Sequence, residues 1–365
     1  MTWAIKKVWY NQHMKIFDGH NDTLTRFLED SHADRTFFTR SDEGDLDSIR
    51  AKEGELSAGI FAIFTPPPLN SPESEPHWGL SLSGEGYTMK LPSPLSQSYA
   101  KDYSDKTIDY AFQLERESGG MVRVIKTYAE LEQCFSEDLL GMVLHIEGAE
   151  ALEPDLSNLE NYYHKGIRSI GITWSRPNAF GYGVPFAYPR SPDTGEGLTK
   201  AGRELVKMCN RIGILIDLAH LNLRGFFDVA RITDKPLVVS HAGVYSICSS
   251  TRNVTDEQLQ LIKESNGLVG IMFEPINTRR DGKPEKNSTL MEIVYHIEYI
   301  AEKIGVEYVG FGSDFDGADM PVDLKDASKM QNLINALRDR GVSDEALEKF
   351  AYKNWLRVIK DTWKD

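Results

Sequence analysis

Lys15-Ile16-Phe17-Asp18-Gly19-His20-Asn21-Asp22 sets the terms on which the rest of the 365-residue chain is read. The run from Lys15 to His20 lacks the polar alternation of a half-exposed strand. It reads as a strand covered on both faces, as in a parallel sheet. His20 and Asp22 stand two residues apart, the spacing at which strand side chains share one side. One cation can therefore take a nitrogen from the first and an oxygen from the second.

Seven further runs of this kind follow: Ala58–Thr65, Met142–Glu147, Arg168–Trp174, Gly213–His220, Leu237–His241, Leu268–Phe273 and Tyr308–Asp314. Helical patterns lie between them. Thr255-Asp256-Glu257-Gln258 is a capping box, with Gly267 just past its helix. Ser288 is placed to cap a helix whose apolar stripe is Leu290, Ile293, Val294, Ile297, Ala301 and Ile304, stopped by Gly305. Thr199 starts a helix that ends near Gly213. Ser343 starts the last long one, with Leu347, Phe350, Ala351, Trp355 and Val358 on its apolar face. Eight strands alternating with helices predict an α/β fold, a (β/α)8 TIM barrel. One domain over 1–365 is expected, with C-terminal helices after the last strand. An open doubly wound sheet would gather its polar groups at one switch point rather than at many strand ends. Two stretches break the repeat: Pro66–Asp109, rich in Pro, Ser and Gly, and Arg176–Leu198. Each follows a strand, so each is expected as a long loop on the catalytic face.

The net charge is −14, which argues against nucleic acid or an anionic membrane as the main partner. Cys134, Cys209 and Cys248 are odd in number and widely spaced, so no disulfide framework is expected and a reducing compartment fits. Met1–Met14 carries Lys6 and Lys7 but no apolar core of a signal peptide. No apolar run approaches the ~18 residues of a membrane span. The expected location is the cytoplasm.

The chemistry lies at the strand ends. In a barrel the C-terminal ends of the strands converge on one site, and here they read Asp18-Gly19-His20-Asn21-Asp22, His145-Ile146-Glu147-Gly148, Asp217-Leu218-Ala219-His220, Ser240-His241 and Gly312-Ser313-Asp314-Phe315-Asp316-Gly317. His220 and His241 end successive strands and can hold a second cation. Glu147 ends a strand between these groups, and its two oxygens can bridge two metals. This nitrogen and oxygen set suits zinc, two ions per chain, with manganese or cobalt as substitutes. Two metals about 3.5 Å apart hold a bridging water as hydroxide near neutral pH, a nucleophile for a carbonyl. Other residues read more plainly. Asp217 is expected to support its neighbours, His145 to lie deeper in its strand, and Cys248 to be a buried thiol. His296 is expected at the solvent edge of its helix, and His13, His32, His77 and His164 in loops or helices.

Taken in order and spacing, these motifs, with Ser249-Ser250-Thr251-Arg252-Asn253, resemble the membrane (renal) dipeptidase family and its bacterial relatives among the amidohydrolase barrels. The resemblance runs from Phe17 to Trp363. It implies the same ligand set: His20 and Asp22 on one zinc, His220 and His241 on the other, Glu147 between. It also implies that Arg252 grips the substrate's C-terminal carboxylate, for which a guanidinium fork is suited. Asp314 would pass the proton from the bridging water to the leaving amine and hold the free ammonium. One position departs from the family: Trp174 stands where many members have a histidine that polarises the scissile carbonyl. An indole donates one hydrogen bond but does not titrate, which leaves Asn178 or Arg176 as candidate donors. The resemblance further implies a dipeptide substrate, tolerance of a C-terminal D-residue, and a homodimer. The alternatives are another binuclear hydrolase on this barrel, acting on a lactone, an N-acyl amino acid or a phosphoester, and a barrel that binds peptide or metal without turnover.

Overall fold

The computed structural model describes residues 13–29, 36–74, 78–84, 86–284 and 287–364. Lys6, Lys7, His32 and His77 lie outside these residues. All eight expected strands are present: β1 (Ile16–Asn21), β2 (Leu56–Phe64), β3 (Leu140–Glu147), β4 (Ile167–Gly171), β5 (Leu215–Asp217), β6 (Val238–Ala242), β7 (Leu268–Ile271) and β8 (Val309–Phe311). Each pairs in parallel with the next. With helices around them, they form a (β/α)8 barrel. Every residue of β1, β3 and β4 is buried, as the unbroken apolar runs require.

The seam between β8 and β1 closes differently. No ladder joins these strands below their ends. Beyond them, Asp314 N–H donates to the His20 carbonyl (3.0 Å) and Asp22 N–H to the Phe315 carbonyl (2.8 Å). Asp18 accepts from both the N–H and the hydroxyl of Ser313, each at 2.8 Å. Trp355, fully buried, stacks on Phe17 with centroids 5.3 Å apart and donates its indole N–H to the Phe311 carbonyl at 2.9 Å. A Cβ on Gly19 would lie 2.2 Å from the Trp355 ring and 2.7 Å from the Phe311 oxygen. The glycine beside His20 is therefore needed to admit the indole.

Several local expectations change. Val122–Val124 adds a ninth strand beside β3. The stretch expected as a loop over Pro66–Asp109 holds part of a 21-residue helix, Gln97–Glu117. Its Leu80–Leu82 and Tyr87–Met89 strands join Ala187–Tyr188, from the second long loop, in a three-stranded antiparallel sheet. The Thr255 capping box forms, and Thr199 and Ser343 cap as expected. Ser288 does not cap: the helix Met291–Lys303 begins after Leu290, whose N–H is taken by Asp323 at 2.8 Å. A π-helical segment, Lys349–Lys353, interrupts the final helix and leads into Asn354–Thr362, which carries Trp355. The three cysteines are free and buried. No helix among the described residues is long and apolar enough to cross a membrane.

His296 is not at a solvent edge but fully buried. Its Nδ1 accepts from Val244 N–H (2.7 Å) and its Nε2–H faces the Thr278 carbonyl (2.9 Å). Both ring nitrogens are used by the neutral form, so the helix turns this polar residue inward without leaving it unsatisfied. Burial pulls its pKa from 6.5 to about 4. The unfolded chain takes up this proton first, so the stabilisation is complete above pH 6.5 and is lost as pH falls toward 4, about 3 kcal/mol across that window. Urea midpoints of wild type and His296→Asn over this range check it; the variant's slope is expected to be shallower.

Candidate active site

The barrel brings together all five residues expected as metal ligands. His20 Nε2 lies 3.5 Å from Asp22 Oδ2, 3.6 Å from Glu147 Oε1 and 3.9 Å from Asp314 Oδ1. Glu147 Oε1 is also 3.2 Å from His220 Nε2 and 3.7 Å from His241 Nε2. Those two imidazole nitrogens face each other at 3.0 Å. One group of potential ligand atoms is thus His20, Asp22 and Asp314, and another is Glu147, His220 and His241. Glu147 touches both.

Chain geometry explains how the ligands get there. β5 ends at Asp217, three residues short of His220, so His220 reaches the centre from the following turn at φ 63°. Asp314 likewise lies past β8, at φ 67°, and Asp316 at φ 66°. Positive φ at non-glycine residues costs about 1–3 kcal/mol each. Six such residues occur among those described, and three of them line this one pocket. Here strain and function coincide.

Hydrogen bonds hold the His220 and His241 rings in place. Ser240 donates to Asp217 (2.5 Å), so its oxygen is left to accept from His241 Nδ1–H at 2.8 Å. Ser175 is 2.8 Å from His220 Nδ1. With its proton on Nδ1, His241 turns the Nε2 lone pair toward Glu147, as a metal-binding imidazole requires. Burial, together with the positive charge of Arg252 and His20, holds both histidines well below 6.5. His20 goes the other way. Burial disfavours its charge, but Glu147, Asp22 and Asp314 outweigh this and lift it to about 10. Burial pushes Glu147 well up, with His20 opposing, and Asp314 up to about 6. A knot of carboxylates this buried favours a cation among them.

The fit to metal ions rests on donor chemistry. The buried His20 Nε2 and Asp22 Oδ1 have no hydrogen-bond partner among the described residues, and an unpaired buried polar atom is costly. Two neutral imidazoles, a third imidazole and two carboxylates form an N/O set suited to divalent zinc or manganese. Asp217 stands near His20 and His241, but it already accepts from Ala219 N–H, Ser240 N–H and the Ser240 hydroxyl. It orients the Ser240–His241 pair. His145 lies deeper, against Ser169 (2.9 Å) and 3.5 Å from Asp217.

The pocket above these ligands has a volume of about 240 Å³ and includes Trp174, Arg252, Glu274 and Asp314 in its wall. Arg252 is buried and donates to the His241 carbonyl at 3.3 Å. Trp174 packs between Phe64 (4.9 Å) and Phe186 (5.7 Å), with His220 at 5.8 Å. Neither expected replacement donor reaches the pocket. Asn178 donates to the Ile172 carbonyl and accepts from Phe180 and Gly181, which fixes its own loop beside a different cavity. Arg176 is fully buried, bound to Glu150 (2.7 Å) and the Thr65 carbonyl (2.6 Å), with its guanidinium 5.2 Å from the Trp174 ring. It backs the indole from behind. Ser175, Phe186 and Glu274 were not anticipated. Glu274 carries a signal in its position, just after the seventh apolar run.

Comparison with known proteins agrees with this geometry. The model of the membrane dipeptidase family (peptidase family M19) matches residues 6–364. A Rhodobacter sphaeroides metallo peptidase, solved with a phosphinate mimic of the dipeptide L-Ala-D-Ala, superposes with a TM-score of 0.91 at 37% identity, over 96% of this chain and 100% of that one. The M19 metallo peptidase dipeptidase AC gives 0.91 at 38% identity, over 96% and 99%. Dipeptidase aclJ of Aspergillus oryzae is 31% identical over 353 residues, 95% of this chain and 78% of its own length. With the fold, the ligand knot and these likenesses in agreement, the chain belongs to the membrane dipeptidase family, peptidase family M19, and is a metallo-dipeptidase.

Proposed function

We propose that the protein hydrolyses dipeptides with two zinc ions, one held by His20 and Asp22, the other by His220 and His241, with Glu147 shared. The observation that carries this is the convergence of three imidazoles on Glu147 Oε1, at 3.2, 3.6 and 3.7 Å. Ions bound there would activate a shared water and polarise the scissile carbonyl. Arg252, desolvated at the pocket wall, binds the C-terminal carboxylate. Asp314, across the pocket, receives the proton of the attacking water, returns it to the departing amine and faces the substrate's ammonium. Trp174 shapes the wall and excludes water but does not exchange protons. A site that reads the two termini also admits a D-residue at the C-terminal position, in keeping with the L-Ala-D-Ala mimic bound to the Rhodobacter relative.

Elemental analysis is expected to find about two zinc ions per chain. Chelation should abolish release of amino acids from a dipeptide panel, and added zinc should restore it. Less than one metal per chain, or hydrolysis that survives chelation, overturns the reading.

A further inference from the structure

A second cavity, about 500 Å³, opens beside the metal pocket, and the two share Phe186 and Glu274 in their walls. Its lining is mostly apolar and includes Leu80, Tyr87, Met89, Ile276 and Met320. The metal pocket alone, at about 240 Å³, is small for a ligand site, whereas the adjoining chamber falls within the usual range of about 300–1,000 Å³.

The chamber wall is joined to the arm that carries Arg252. Ala187–Tyr188 pairs with Tyr87–Met89, and Met89 N–H donates to the Phe186 carbonyl (2.7 Å). Thr251 N–H donates to the Ala187 carbonyl (3.1 Å), Ala187 N–H to the Thr251 hydroxyl (3.2 Å), and Arg190 N–H to the Ser249 carbonyl (2.8 Å). One hydrogen-bonded unit thus carries both the chamber wall and the guanidinium proposed to hold the substrate's carboxylate. Arg252 lines the metal pocket together with Phe186 and Glu274, which also line the chamber, so the chamber opens beside a residue anchored on that guanidinium.

Building on the dipeptidase reading, we propose that this chamber receives the side chain of the substrate's C-terminal residue and makes the protein selective for dipeptides that end in a large apolar residue. Glu274 marks the mouth. Its carboxylate accepts from the Asn277 amide, and the side chain lines both cavities.

The test compares L-Ala-X dipeptides with X as Ala, Phe or Arg on the zinc-loaded protein. In parallel, calorimetry measures binding of non-hydrolysable phosphinate mimics with the same three C-terminal residues. Phe is expected to exceed Ala by about tenfold or more, in kcat/KM and in affinity. In Met89→Trp and in Leu80→Trp, which fill the chamber, the Phe-to-Ala ratio should fall toward one. The ratio is taken within each protein, so a general loss of folded enzyme does not move it. Equal use of Ala and Phe, or a preference for Arg, which would place a cation on Glu274 and Asp319, overturns the proposal. Binding decides the matter even if no dipeptide is hydrolysed, an outcome that would instead sink the dipeptidase reading.

Discussion

Asp314→Asn is expected to lower kcat on a dipeptide by about 10²–10⁴-fold, the usual range for losing a positioned acid–base group. The amide keeps the volume and hydrogen-bonding reach of the carboxylate but cannot take up a proton. Asp314 is 3.9 Å from His20 Nε2 and sits in a turn fixed by its own N–H donating to the His20 carbonyl. The variant should therefore fold like wild type, and its zinc content shows whether the carboxylate also helps to hold a cation. Zinc content and steady-state kinetics together decide the outcome. A rise in KM with kcat unchanged would show that Asp314 only holds the ammonium.

Arg252→Met is expected to cost about 2–5 kcal/mol of transition-state binding for a dipeptide, roughly thirty-fold to several-thousand-fold in kcat/KM. Methionine fills similar space but offers no donor to the carboxylate. The same variant should leave a neutral lactone, with no carboxylate to hold, little affected. Measuring both substrates on both proteins separates a dipeptidase from another hydrolase on this barrel. An equal loss on both would mean that Arg252 supports the fold around His241, whose carbonyl it binds at 3.3 Å, rather than the substrate.

All eight barrel strands were legible because each is buried on both faces and so leaves an unbroken apolar run that periodicity detects. The residues proposed as metal ligands could be picked out because they cluster at strand ends, and the fold brings them together. The ends themselves were less legible. Gly213–His220 reads as one strand, but pairing stops at Asp217, and His220 is delivered by a turn at positive φ. The three-stranded sheet over the site escaped notice because its strands are two or three residues long, too short for a periodic signal, and its pairing joins two distant loops. His296 misled because a helix pattern marks faces but not what packs on them. Its polar partners, Val244 and Thr278, come from elsewhere in the chain. Asn178 was assigned to the substrate from its place in sequence, whereas its amide is spent on its own loop.

The seam between β8 and β1 has a consequence for assembly. His20 and Asp22 lie on one side of it and Asp314 on the other, and Asp18 and Ser313, 295 residues apart in sequence, join across it. The catalytic centre therefore has no precursor in any local segment, because its two halves meet only when the ends of the barrel do. A chain with that join open has Asp314 apart from His20 and Asp22. Ions that bound only the joined form would tighten it by mass action, so added zinc would be expected to raise the melting temperature as well as the rate.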